Sequence, residues 1–315
     1  MNILVTGGAG FIGSTLIDKL LLDNHTIVSI DNYDPFYDKK LKLLNQRKHF
    51  GHVNFHFIEA DIRDIDVLPI PIPIDCIIHI AAKAGVLQSI ANAKEYFDVN
   101  VNGTLCLLEF AKKNGIRQFI FASSSSVYGI NKNVPWTENE LDLQPISPYA
   151  SSKLACEKIG FTYSHLYNIR FIALRFFTVY GPRQRPDLAI HKFFNNILAN
   201  QAIEVYGDGS TKRDYTYIDD LVSGVMASID YDKSPFEIIN LGNHKTIQLK
   251  DLIDAIGAIA QRKPILIYKE EQHGDVPQTF ANIDKSNLLF NYNPKTALSD
   301  GLQHQLDWMK QADGN

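Results

Sequence analysis

The strongest constraint on folding is a glycine loop set between an apolar strand pattern and a helix pattern. Residues 3–6 read as a buried strand, residues 11–22 as an amphipathic helix, and Gly7-Gly8-Ala9-Gly10-Phe11-Ile12-Gly13 joins them. Glycines spaced as Gly8-x-Gly10-x-x-Gly13 permit a tight turn and bring backbone amides close to a diphosphate at the positive helix terminus. A glycine-rich structural turn has the same composition. The strand before the loop and the helix after it favour the binding role.

The alternation continues. Residues 26–30, 54–58, 76–80, 118–122 and 171–175 carry further strand patterns, and residues 93–114 and 149–167 carry long helix patterns. Strands that alternate with helices predict an α/β fold, a Rossmann-type doubly wound parallel sheet with helices on both faces. Residues 68–74 cannot be helical, because their three prolines remove donors and fix φ. They are expected to lead in extended form into the strand at 76–80. After about residue 176 the elements shorten and turns such as Gly181-Pro182 and Gly207-Asp208-Gly209 interrupt them, with helices near 188–200, 218–230 and 249–260. The expected organisation is a dinucleotide-binding domain at 1–175 and a smaller, interleaved C-terminal substrate lobe at 176–315.

Composition excludes several classes. A net charge of −4 gives no electrostatic reason to expect nucleic acid or an anionic membrane as partner. The hydrophobic fraction of 45% and charged fraction of 21% are those of a soluble globular protein. No apolar run approaches the roughly 18 residues that span a bilayer. A buried strand at the start leaves no room for a signal peptide, and Cys76, Cys106 and Cys156 lack metal-ligand spacing. These features predict free thiols, no metal, and a cytoplasmic location.

Asp31 closes the second strand pattern eighteen residues beyond Gly13, where a carboxylate can hold a ribose diol. With no arginine beside it, it favours NAD over NADP. Gly7, Gly10, Phe11, Ile12 and Gly13 form the loop of the expected cofactor site. Asp61-Ile62 and Ala81-Ala82 follow the third and fourth strands and face the same ligand.

Tyr149 and Lys153 lie one helical turn apart, after the helix-entry signal Ser147-Pro148. A lysine near a phenol favours the phenolate and makes it a usable base. The same spacing also describes a half-buried tyrosine beside a surface lysine. The run Phe121-Ala122-Ser123-Ser124-Ser125-Ser126 at the end of the fifth strand favours the chemical reading, since hydroxyls there can hold a substrate alcohol as its proton leaves.

With Asp61-Ile62-Arg63, His79–Ala82, Asn100-Val101-Asn102-Gly103-Thr104, Ser123–Gly129 and Arg213–Asp219, these motifs resemble the extended short-chain dehydrogenase/reductases of the sugar-nucleotide epimerase and dehydratase type. The resemblance covers nearly the whole chain. It implies Ser124, Tyr149 and Lys153 as catalytic residues, and extends the cofactor site to Asn32, Lys83, Asn100, Ser123, Tyr149, Lys153 and Phe177. Dehydratases of this type carry an Asp-Glu pair directly after the catalytic serine or threonine, and decarboxylases a glutamate at the second of those positions. Here Ser125 and Ser126 stand there, which leaves reversible oxidation at C4.

The stretch 174–190, together with 31–38 and 272–278, looks most like UDP-glucuronate 4-epimerases. That likeness implies a UDP-sugar held by Ser124, Ser126, Tyr149, Thr178, Arg185, Lys192, Arg213 and Asp275. Guanidinium groups suit a diphosphate or carboxylate through their bidentate fork, although each arginine alone is also compatible with a surface salt bridge. The chain departs from the likeness at Leu87 and Gln88, where such enzymes carry arginine and tyrosine, and at Lys83, where they carry glutamine. Either a different hexose or glucuronate with Lys83 compensating follows. Rival readings are a neutral UDP-hexose 4-epimerase, a dehydrogenase with net NADH production, and a non-catalytic dinucleotide-binding regulator. The resemblance also implies a homodimer through the helices near 93–114 and 149–167.

Overall fold

The computed structural model describes residues 1–270 and 276–313. Its first part runs β1 (Asn2–Thr6), α1 (Phe11–Leu22), β2 (Thr26–Asp31), α2 (Lys39–Gln46), β3 (Phe55–Glu59), β4 (Cys76–His79), α3 (Val86–Ala91), α4 (Ala93–Phe97), α5 (Gly103–Lys113), β5 (Gln118–Ser124), α6 (Pro148–Tyr167) and β6 (Arg170–Phe176). Then follow β7 (Thr178–Tyr180), α7 (Ala189–Leu198), β8 (Ala202–Tyr206), β9 (Lys212–Tyr217), α8 (Ile218–Ile229), β10 (Phe236–Leu241), β11 (Thr246–Gln248), α9 (Leu249–Ala260), β12 (Ile265–Lys269), α10 (Asp284–Phe290) and α11 (Leu298–Asp313).

Seven parallel strands in the order β3-β2-β1-β4-β5-β6-β10 form the central sheet. The order reverses between β1 and β4, and that switch point opens the crevice in which doubly wound sheets hold ligands. The seventh strand comes from beyond residue 175. An edge strand presents unpaired backbone groups, and β10 satisfies those of β6. α8 likewise returns to pack against α1. The later chain therefore contributes a strand and a helix to the first layer before it forms the three-stranded sheet β11-β9-β7 and the pair β12-β8.

Apolar side chains cover both faces of the central sheet. Leu107, Leu108 and Phe110 of α5, with Cys156 and Tyr163 of α6, close one face. The other core runs without a break from Leu16 and Ile17 on α1 to Phe194 on α7 and Leu302 on α11. This continuity is why the later part of the chain packs on the sheet instead of standing apart. Leu68, Ile70, Ile72 and Ile74 alternate with prolines and lay their side chains against the α5–α6 core; the stretch is not helical, as its prolines require, but it bends at Leu68 and Ile72 where an extended lead-in was expected. Cys76, Cys106 and Cys156 are free thiols, and no described helix is long and apolar enough to cross a membrane.

The helix expected over 93–114 is one helical run in three pieces. α4 and α5 flank a π-helical turn, Asp98–Asn102. Asn100 lies in that turn, and its amide satisfies both the N–H and the carbonyl of Lys83, at 2.8 and 3.0 Å. Inserting a π turn re-aims one side chain without ending the helix. α6 starts where its sequence indicates. Ser147 Oγ accepts the Ala150 N–H at 3.1 Å, and Pro148 occupies the first helical turn, where a missing N–H costs nothing.

Asp214, fully buried on β9, ties together segments of the later chain. Its carboxylate accepts the backbone N–H groups of Asn243, His244 and Ala281 at 2.7, 3.1 and 3.1 Å, and so fixes the strand that carries Arg213. Asp214→Ala leaves three buried donors unpaired and is expected to destabilise the protein by about 3 kcal/mol or more in chemical denaturation. An unchanged unfolding midpoint would contradict that role.

Candidate active site

A cavity of about 650 Å³ opens at the carboxyl ends of the central strands. Its floor is the glycine loop. Gly7 adopts φ of +74°, and a Cβ there would lie 2.7 Å from the Ala81 nitrogen. At Gly13 a Cβ would lie 2.2 Å from the Gly7 carbonyl oxygen. Gly10 precedes α1 with no side-chain cap, so the first amides of α1 remain available beside Phe11, Ile12 and Gly13, which line the cavity. This is a cradle that only glycine allows, and its shape and polarity fit a dinucleotide diphosphate.

Asp31, at the end of β2, accepts the N–H groups of Tyr33 and Ala9 at 2.8 and 3.0 Å, which anchors the glycine loop to the second strand. Burial raises its carboxyl above the usual range, and the Lys42 ammonium opposes that rise. Asn32 donates to Asp61 at 3.3 Å. Arg63 grips Asp61 through Nε and a terminal nitrogen at 2.9 and 2.8 Å, and this hydrogen bonding holds the Asp61 carboxyl low. Ile62, Ala81 and Ala82 complete this end of the lining.

At the other end Ser123, Ser124, Ser125, Ser126, Tyr149 and Lys153 converge. Ser126 donates its hydroxyl to Ser124 Oγ at 2.9 Å and its N–H to the same atom at 3.2 Å. The half-buried Tyr149 ring meets Tyr96 edge to face, with centroids 6.4 Å apart. Burial pushes the Tyr149 phenol up, while a hydrogen bond with Ser124 and the charge of Arg185 pull it back. The sequence suggested Lys153 for that second task. In the structure the Lys153 ammonium donates to the Ala122 carbonyl at 2.7 Å and stands over the Phe121 ring, because a buried cation takes the nearest strong acceptor. Its own desolvation pushes it down to about 8.

Phe177, Thr178, Arg185 and Arg213 also line the cavity. Arg185 forms a two-bond fork onto Asp187 at 2.9 and 2.7 Å and lies over the Phe36 ring. Arg213 donates to the Lys212 carbonyl at 2.8 Å. Lys83 is held by Asp34 and Glu95, each at 2.8 Å, so two carboxylates already match its charge. Lys192 is exposed on α7, whose contribution to the cavity is Ala189 and Ile190. Asn100 is buried behind the lining and acts on it through the Lys83 backbone and Ser152. Asp275 lies outside the described residues.

Sequence reasoning missed Asp34, Phe36, Tyr37 and Glu95 as lining residues. The first three belong to the segment 31–38 singled out above. Glu95 gave no signal, since one acid on an amphipathic helix looks solvent-facing. No group of potential metal ligands occurs among the described residues.

A sheet of this order, with a glycine loop after its first strand and a Ser–Tyr–Lys set after its fifth, defines a dinucleotide-dependent enzyme of the short-chain dehydrogenase/reductase type. The chain belongs to the NAD dependent epimerase/dehydratase family, which it matches over residues 3–242. It is 36% identical over 312 residues to a UDP-glucuronate 4-epimerase of Thermodesulfobacterium geofontis, covering 98% of this chain and 96% of the relative. Its fold superposes with a TM-score of 0.93 on Bacillus cereus UDP-glucuronic acid 4-epimerase in complex with UDP-glucuronic acid and NAD, at 36% identity over 99% of both chains. Thermotoga maritima UDP-glucose 4-epimerase with UDP-glucose gives 0.90 at 30% identity, again over 99% of each chain.

Gly13→Ala drives a methyl group into the Gly7 carbonyl. It is expected to weaken dinucleotide binding by about tenfold or more while the fold persists, measured as nucleotide released on denaturing the purified protein. Full retention would argue against the loop as the diphosphate cradle.

Proposed function

We propose that this protein is an NAD-dependent 4-epimerase of UDP-sugars that interconverts UDP-glucuronate and UDP-galacturonate. The observation that carries the reading is the pairing of Ser124 and Tyr149 at the cavity end where Ser125 and Ser126 replace acids. Every described carboxylate in the lining is already engaged: Asp31 by two amides, Asp61 by Arg63, and Asp34 and Glu95 by Lys83. Such a site moves a hydroxyl proton and lacks an acid that would expel the hydroxyl. Similarity to UDP-glucuronate 4-epimerases along nearly the whole chain supports the substrate.

NAD fits the cradle built by Gly7, Gly10 and Gly13, with Asp31 placed for the adenosine ribose; when bound it accepts the C4 hydride and returns it. Tyr149, as phenolate, removes the C4 hydroxyl proton and later gives it back. Ser124 orients that hydroxyl, and Ser126 holds Ser124 by its own donation. Lys153, seated on the Ala122 carbonyl, would supply positive charge at the reactive end and would hold the nicotinamide ribose. Arg185 and Arg213 hold the diphosphate or carboxylate, so that the 4-keto sugar can turn over while its nucleotide stays anchored. Oxidation and reduction cancel, and no reduced cofactor accumulates.

A neutral UDP-hexose is the second reading. It is favoured by the exposed Leu87 and by Gln88 in place of the arginine and tyrosine of the likeness, and by the commitment of Lys83 to Asp34 and Glu95. Exposed Leu105 on α5 and Leu166 on α6 support a homodimer packed through these helices, and three free thiols suit a reducing cytoplasm.

Incubation with UDP-glucuronate, UDP-glucose and UDP-N-acetylglucosamine, followed by separation of products, tests the substrate; turnover of a neutral sugar alone overturns the glucuronate assignment. Tyr149→Phe is expected to lower turnover by about 10²–10⁴-fold with the melting temperature unchanged. Activity retained in that variant would remove Tyr149 from the mechanism.

A further inference from the structure

Lys83, one of the positions at which the chain departs from the likeness, has no part in the mechanism above. Its ammonium lies 2.8 Å from Asp34 Oδ2 and 2.8 Å from Glu95 Oε1. All three residues line the cavity, and they come from separate segments. Asp34 follows β2, Lys83 follows β4, and Glu95 lies on α4.

Sheet order gives this contact its meaning. β1 lies between β2 and β4, so the glycine loop that follows β1 stands between the two segments joined by Asp34 and Lys83. Gly7 fixes that placement. Its N–H donates to the Ile30 carbonyl at 2.8 Å on one side, and a Cβ on it would meet Ala81 on the other. The outer strands of such a trio are about 10 Å apart. The Asp34–Lys83 pair therefore bridges the crevice at the switch point, across the end of β1.

Backbone contacts hold both ends of the bridge. Asn100 Oδ1 accepts the Lys83 N–H at 2.8 Å, and its amide donates to the Lys83 carbonyl at 3.0 Å. Tyr96 donates to the Ala84 carbonyl at 3.0 Å. Asp34 Oδ1 accepts the Phe36 N–H at 3.0 Å, and the Asp34 carbonyl accepts from the Lys42 ammonium at 2.7 Å. Asp34 and Glu95 match Lys42 and Lys83 in formal charge, so the set has no net charge with which to attract or repel an anionic ligand. Its chemistry suits closing the crevice better than recognising what enters. The Lys83 and Asp34 side chains are 20% and 26% exposed, so the bridge is stronger than a fully solvated pair and still within reach of salt.

We propose that Lys83, Asp34 and Glu95 form a clasp over the cofactor crevice that slows release of the dinucleotide. They are positioning residues: they act on how long the cofactor stays, through one another, and not on the reacting atoms. The role assigned to them rests on the epimerase reading above, in which oxidation and reduction cancel and one cofactor serves many turnovers. The glutamine of the likeness is shorter and uncharged, and makes no ion pair with either carboxylate.

Release is measured on protein loaded with etheno-NAD, a fluorescent analogue, after addition of excess NAD. Lys83→Met is expected to speed release by about tenfold, and Asp34→Asn/Glu95→Gln by a similar factor. The triple variant is expected to release no faster than either, since the three side chains act as one unit. All three are partly exposed, so these near-isosteric changes leave the fold intact, checked by an unchanged melting temperature. Raising salt to about 1 M, where the screening length falls to about 3 Å, speeds release from the parent and leaves the variants little changed. Slower release from Asp34→Asn/Glu95→Gln with faster release from Lys83→Met would overturn the clasp, because Lys83 would then hold the dinucleotide itself. Equal release from the parent and every variant would overturn it as well. A parent that turns over no UDP-sugar removes the epimerase reading, while the release rates still decide the clasp.

Discussion

The backbone ladder from β3 to β10 aligns seven strands in one direction, and the chemistry of the molecule collects where those strands end. Apolar helices cover both faces of the sheet, so polar groups have no stable place along the strands. They gather at the carboxyl edge: Asp31 ends β2, His79 ends β4, Ser123 and Ser124 end β5, and Arg175 lies next to the last residue of β6. Register brings them together. Thr6 faces both Ile30 and His79, and Ser123 faces Arg175, so groups from distant parts of the chain reach the same level.

That edge is only partly wet, and partial burial sets its electrostatics. Lys153 loses part of its preference for charge because water is replaced by a carbonyl and an aromatic ring. Tyr149 is driven toward the neutral phenol by the same effect, and a serine hydroxyl and a guanidinium restore part of its acidity. The buried pair of Glu157 on α6 and Arg175 on β6, joined by two hydrogen bonds, extends this pattern into the core. Each charge is tolerable because a specific partner answers it, and each answer fixes a position that solvent would have left loose.

Much of this was legible beforehand because it is local. The glycine loop, the helix Phe11–Leu22 with its expected bounds, the Ser147-Pro148 entry to α6 and the non-helical proline stretch all follow from backbone rules acting within a few residues. The strand pattern at 26–30 stops one residue short of β2, and that at 54–58 is offset from β3 by one residue at both ends, within normal fraying. The π turn at Asp98–Asn102 escaped notice, since its apolar spacing still reads as helix and only the need to satisfy Lys83 explains it. Lys192, expected at the substrate, is exposed on α7 and is not among the residues that line the cavity.

By itself, then, the sequence determined the kinds of element, their alternation, the glycine cradle and the one-turn spacing of Tyr149 and Lys153, because these depend on chain stiffness and helical periodicity. Tertiary structure decided which strand completes the sheet, that the Lys153 ammonium is seated on the Ala122 carbonyl, and that Lys83 is claimed by Asp34 and Glu95. Those outcomes depend on distances of a few ångströms between residues far apart in the chain. Coulomb interactions and desolvation change steeply over such distances, while the order of residues says nothing about them.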